Sequence, residues 1–124
     1  MARDHDIYER LLSFGIRIVK FCKILSKNFD NKVIADQLIR AGTSVGANMQ
    51  EADAASSRKD FINKVNISKK EIQETNYWLK IIQGSELINN SNNQQELVQL
   101  LKESEELIKI IGSILHRTLK NIFK

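Results

Sequence analysis

The 124-residue chain has no proline, one cysteine, five glycines and few aromatic residues, and each shortage narrows the fold. Proline marks loops and strand edges, so a chain without it has few places where a helix is forced to stop. An all-helical protein follows as the expectation. Cys22 has no partner for a disulfide. None is required, because a chain of this size removes roughly two-thirds of its unfolded surface from water on folding. There is no leading apolar run followed by small residues, and no stretch approaches the ~18 apolar residues of a membrane span. Together with the unpaired thiol, these absences point to a soluble cytoplasmic protein that folds as one domain over residues 1–124 and has no membrane contact.

Catalytic patterns are equally scarce. His5 and His116 are the only histidines, and neither stands in a Glu-x-x-His or His-x-x-x-His spacing on an apolar face. That excludes the di-iron bundle and zincin patterns, and Glu71 and Glu74 lack the histidine the former requires. His5 with Glu9 reads as an exposed first-turn pair rather than a metal site. The stretch Gly42-Thr43-Ser44-Val45-Gly46 lacks the Lys-Ser/Thr ending of a phosphate loop and follows no strand. Cys22 sits on an apolar stripe and reads as a buried structural thiol. No enzyme, metal or cofactor is expected.

What is present is helical periodicity. Tyr8, Leu11, Leu12, Ile18, Val19, Cys22 and Leu25 recur at steps of three and four, marking a first helix over about residues 4–27. Its acids Asp4, Asp6 and Glu9 open it and its bases Lys20, Lys23 and Lys27 close it, both favourable to the macrodipole. Asp30 and Asn31 supply turn and N-cap chemistry before a second stripe, Val33, Ile34, Leu38, Ile39, Val45 and Met49, over 31–55. Ser57 with Asp60 resembles a capping box and opens a third helix over 57–83, whose stripe is Phe61, Val65, Ser68, Ile72, Thr75, Leu79 and Ile82. After the polar loop Asn89 to Asn93, a fourth helix over 93–123 carries Leu97, Leu101, Ser104, Ile108, Ile111, Leu115, Thr118 and Ile122.

Four amphipathic helices joined by short loops close most simply as an all-α, antiparallel, up-down-up-down four-helix bundle. The stripes are wider than such a core needs. Leu100, Leu107, Ile110 and Ile114 on the fourth helix lie off the main seam, as do Ile7, Phe14, Ile16, Phe21 and Ile24 on the first. A second apolar face predicts self-association, since monomers seldom expose large apolar patches; tight packing of the four helices is the other reading. Gly42 and Gly46 each cost about 1 kcal/mol within a helix relative to alanine, so a neighbouring helix is expected to pass close by. Folding the second and third helices about residue 56 sets Arg40 opposite Glu71 and Glu74. An ion pair that fixes register is predicted there.

The net charge is +4, and its placement is uneven. Arg58, Lys59 and Lys64 start the third helix, while Arg117, Lys120 and Lys124 end the fourth, and antiparallel packing brings both groups to one end. Cations at the end of a helix compensate its dipole, but Arg58 and Lys59 at a helix start oppose it. All six are therefore the candidate phosphate-contacting patch. No aromatic residues interleave with them, so base stacking is not expected at that end.

The stretch Ile39-Arg40-x-x-x-Ser44-Val45-Gly46-Ala47-Asn48-x-x-Glu51, then Asp60-Phe61-Ile62-x-Lys64, then Ser68-x-Lys70-Glu71-x-x-Glu74-x-x-Tyr77-Trp78-Leu79 carries a family likeness. It resembles the four helix bundle proteins first recognised as open reading frames within intervening sequences of bacterial 23S rRNA genes. That resemblance implies a ring-shaped homopentamer, and a related branch serves diversity-generating retroelements by binding RNA and the reverse transcriptase. Arg40, Ser44, Asn48, Glu51, Glu71, Glu74 and Trp78 occupy the motif positions, which name no catalytic role. A polar interhelical or intersubunit network explains them as well as a ligand site does, with Trp78 as a core or interface anchor. The expected function is a non-enzymatic oligomer that binds RNA through the basic end. The alternative is a structural or adaptor oligomer that binds another protein.

Overall fold

Helix ends set the frame of this chain. The computed structural model describes residues 5–122, which form α1 (His5–Leu25), α2 (Lys32–Asp53), α3 (Arg58–Gly84) and α4 (Ser91–Ile122), with a short 3-10 turn at Phe29–Asn31. No strand occurs among the described residues. The His5 side chain, Lys124 and the outermost residues of the expected first and last helices, 4 and 123, lie outside them.

Polar contacts mark several of the boundaries. Asn28 accepts the Asp30 amide at 3.0 Å to hold the 3-10 turn. Asn31 follows, and its amide group donates to the Leu25 carbonyl instead of capping α2. Ser57 accepts the Asp60 amide at 3.1 Å and starts α3, the cap its sequence signature predicts. Asn90 takes the Asn92 amide at 2.8 Å and the Asn93 amide at 3.2 Å, so α4 begins at Ser91 rather than at 93. At the end of α3 the Leu87 and Glu86 amides return to the Ile82 and Gln83 carbonyls, a Schellman closure. Its left-handed position is held by Glu86 at φ 55° rather than by glycine.

The four helices form an all-α bundle in which α1 packs on α2, α2 on α3, α3 on α4, and α4 returns to α1. Of these neighbours, α1 and α4 approach least closely. Paired residues fix the register. The Ser68 hydroxyl donates to the Val45 carbonyl at 2.9 Å across α2 and α3, and Asn76 donates to the Ser104 hydroxyl at 2.8 Å across α3 and α4. All of these side chains are buried, and among the described residues no buried polar side-chain atom lacks a partner.

The seam of α3 is buried as the periodicity predicts, from Val65 to Ile82, apart from half-covered Phe61, and Asn76 joins it. The seam of α1 is a different one. Ile7, Leu11, Phe14, Ile18, Phe21, Cys22 and Leu25 are buried, while Leu12 is 66% exposed. Ile7, Phe14 and Phe21, with Leu100 and Leu107 of α4, therefore belong to the core and not to a second apolar face. In α2, Val33 is 73% exposed, and Ala35, Ala41, Gly42 and Ala52 fill the core alongside Leu38, Val45 and Met49.

Small residues on α2 let α1 come close enough to bury its large ones. A Cβ built on Gly42 would lie 2.8 Å from Ile18 Cγ2, and one on Gly46 would lie 3.4 Å from Leu11 Cβ. The close neighbour predicted for both glycines is α1.

Candidate nucleic-acid interface

The motif residues divide into two groups along α2. Arg40 reaches across to α3, with Nη1 3.2 Å from Glu71 Oε2 and Nη2 on Glu74 Oε2. The ion pair anticipated between the helices is present. The same Glu74 oxygen accepts the Trp78 indole N–H at 2.9 Å, so one carboxylate gathers a guanidinium and an indole. Trp78 is half-buried and meets the exposed Tyr77 ring edge-on at 5.5 Å between centroids. Ser44 and Asn48 turn inward to their own helix, donating to the Arg40 and Ser44 carbonyls at 2.6 and 2.8 Å. Glu51 leaves that ladder and binds Lys64 of α3 at 2.8 Å. Both charged contacts cross from α2 to α3, and their chemistry suits alignment of two helices.

The hydrogen bond that Lys64 donates to Glu51, reinforced by the charge of that carboxylate, holds the Lys64 ammonium above the ordinary lysine range. Lys64 is thereby tied to a carboxylate. Arg58 and Lys59 open α3, Arg117 and Lys120 close α4, and the Asn76–Ser104 register puts both pairs at one end of the bundle. All four are exposed, and none makes an ion pair among the described residues. Lys124 is not among these residues.

Cys22 is buried, and burial with the nearby Asp36 charge pushes its thiol up to about 12. A thiol held that high is protonated near neutrality and is no nucleophile. His116 is exposed on α4. Among the described residues no group of three His, Cys, Asp or Glu side chains is placed to hold a metal ion. No helix there is long and apolar enough to cross a membrane.

Three features have little or no signature in the sequence. Arg17 forks onto Glu96 at 3.0 and 2.9 Å, and Arg10 onto Glu103 at 3.1 and 2.5 Å, stitching α1 to α4. The Glu96 hydrogen bond raises the Arg17 pKa further. An apolar groove of about 550 Å³ runs between α1 and α2, with Leu12, Ile16 and Val19 on one wall, Gly46 and Ala47 on the other, and Lys20 and Lys23 on its rim. Gly15 lines it as well. The third feature is Phe29, 82% exposed on the 3-10 turn.

A family model described as 23S rRNA-intervening sequence protein matches residues 3–113. Among solved structures, the chain is similar to a crystal structure of a protein with unknown function from the S23 ribosomal protein family of Bacteroides thetaiotaomicron VPI-5482. The two share 38% identity at a TM-score of 0.79, over 88% of this chain and 97% of that one. No curated protein matches.

Proposed function

Because the chain belongs to the 23S rRNA-intervening sequence protein family, we propose that it is a non-enzymatic, self-associating bundle that binds RNA through one end. The observation that carries this reading is the exposed set Arg58, Lys59, Arg117 and Lys120, without ion pairs among the described residues and gathered by the α3–α4 register. Two of these cations oppose the dipole of the helix they start, so folding of α3 gives no reason for them, whereas phosphate does. The family description, which names 23S rRNA, favours RNA over DNA. Contacts of this kind grip phosphates and read little sequence. Assembly as a ring of five, the form implied by the family resemblance, multiplies the patch and raises affinity through avidity. The groove of Leu12 and Ile16 supplies a surface for a second copy.

A mobility assay with structured RNA at low and moderate salt tests the reading. Replacing Arg58, Lys59, Arg117 and Lys120 by Gln reduces the slope of log affinity against log salt by about 3 to 4 if each cation displaces one counterion. An unchanged slope, or no salt-sensitive binding by the native chain, overturns it. The groove favours a second reading, a structural or adaptor oligomer whose partner is a protein. That reading takes over if molar mass in solution shows an oligomer while RNA binding is absent.

A further inference from the structure

The α1–α2 connection displays an aromatic ring that the fold does not use. Phe29 is 82% exposed and Val33, four residues on, is 73% exposed, so the bundle gains little of the about 1.5–3 kcal/mol that burying such a side chain supplies. The backbone beneath Phe29 is nonetheless firmly held. Asn28 accepts the Asp30 amide, the Asn31 amide returns to the Asn28 carbonyl at 2.9 Å, buried Asn31 grips the Leu25 carbonyl, and the Lys32 amide closes on the Phe29 carbonyl. A ring presented on a rigid turn loses little conformational freedom when it binds.

Charge around the ring selects the partner. Between residues 20 and 36 stand four lysines and two aspartates. Lys32 pairs with Asp36 at 3.4 Å, whereas Lys20, Lys23 and Lys27 are exposed with no ion pair among the described residues; Asp30 is the remaining acid. Lys20 and Lys23 stand three residues apart near the end of α1, and Lys27 follows in the turn that leads to Phe29. An exposed aromatic ring that follows three exposed lysines in the chain matches the two demands of an unpaired nucleic-acid strand, stacking for a base and cations for its phosphates. We infer that Phe29, with Lys23 and Lys27, is a second RNA contact that takes unpaired nucleotides. It rests on the reading that RNA is the partner. It lies at the opposite end of the bundle from Arg58 and Lys120, about 40 Å away along the 27 residues of α3.

The test compares a short oligouridylate with a blunt RNA duplex of the same length. Phe29→Ala is expected to weaken oligouridylate binding about 5- to 100-fold and leave duplex binding unchanged. Phe29→Leu, which keeps an apolar side chain but no ring face, loses as much, and Phe29→Tyr restores binding. Equal oligouridylate affinity for Phe29→Ala and the native chain overturns the inference, and full binding by Phe29→Leu does so too, since it signals apolar docking of a protein instead. The two ends separate cleanly. Loss only when Arg58, Lys59, Arg117 and Lys120 become Gln removes the Phe29 contact and leaves the basic end standing. Loss only with the Phe29 variants supports the Phe29 contact and removes the basic end. A native chain that binds neither probe overturns both.

Discussion

The seam between α2 and α3 and the seam between α1 and α4 are held together in different ways. The first joins helices separated by a short turn and approaches closely, with Ser68 set fully inside against the Val45 carbonyl. Its charged contacts, Arg40 with Glu71 and Glu74 and Lys64 with Glu51, border a packed interface. The second brings together the two ends of the chain, with partners 93 and 79 residues apart. Helices that stand further apart are bridged by long forked side chains, Arg10 on Glu103 and Arg17 on Glu96. Backbone proximity fixes register where the chain turns back at once, and directional charge does so where the bundle must close on itself.

The largest test of that contrast is Ser68→Leu. A bulkier side chain at a fully buried site facing a backbone carbonyl is expected to destabilise by about 2–3 kcal/mol in urea unfolding. A loss near zero would mean that α2 and α3 have slack. Next comes the double change Arg10→Gln with Arg17→Gln, expected to lower stability by about 1 kcal/mol after allowance for partial exposure. Its loss should shrink in high salt, and amide exchange should quicken in α1 and α4 before α2 and α3.

Gly42→Ala sits on the third kind of seam, α1 against α2. There the 2.8 Å approach to Ile18 outweighs the gain in helix propensity, for a net loss of about 1 kcal/mol. Gly15→Ala has open space and should instead gain up to about 1 kcal/mol. The smallest effect belongs to Arg40→Gln, about 0.5 kcal/mol, because the guanidinium is nearly half exposed. If Arg40→Gln proves costlier than the α1–α4 double change, the assignment of charge to closure falls.

Legibility in the sequence followed the size of the side chain and the distance between partners. The α3 seam could be read because its apolar residues are large and evenly spaced, and Ser68 and Thr75 fell on the same stripe. Ala35, Ala41 and Ala52 could not be told from surface alanines, so α2 showed Val33 as core when it is exposed. Leu12 and Phe14 of α1 exchange places for a related reason. Two overlapping stripes run through that helix, and only the position of its neighbours selects between them. Arg40 with Glu71 and Glu74 could be anticipated across a single turn, whereas Arg17 with Glu96 depends on how four helices close.

The candidate site divides in the same manner. Arg58, Lys59, Arg117 and Lys120 could be placed at one end from antiparallel order alone, whereas the commitment of Lys64 to Glu51 depends on the packing of α2 against α3. Phe29 gave no warning in the sequence, since an apolar residue beside a turn is as often tucked under it as displayed.

By itself, then, the sequence determined four helices, their order and their antiparallel course, because proline is absent and local periodicity and caps act within a few residues. Tertiary structure decided which of two apolar stripes faces inward, that Lys64 is held by Glu51, and that the Phe29 ring meets solvent. Those outcomes depend on groups brought together from distant parts of the chain, and burial and charge pairing exist only once they have met.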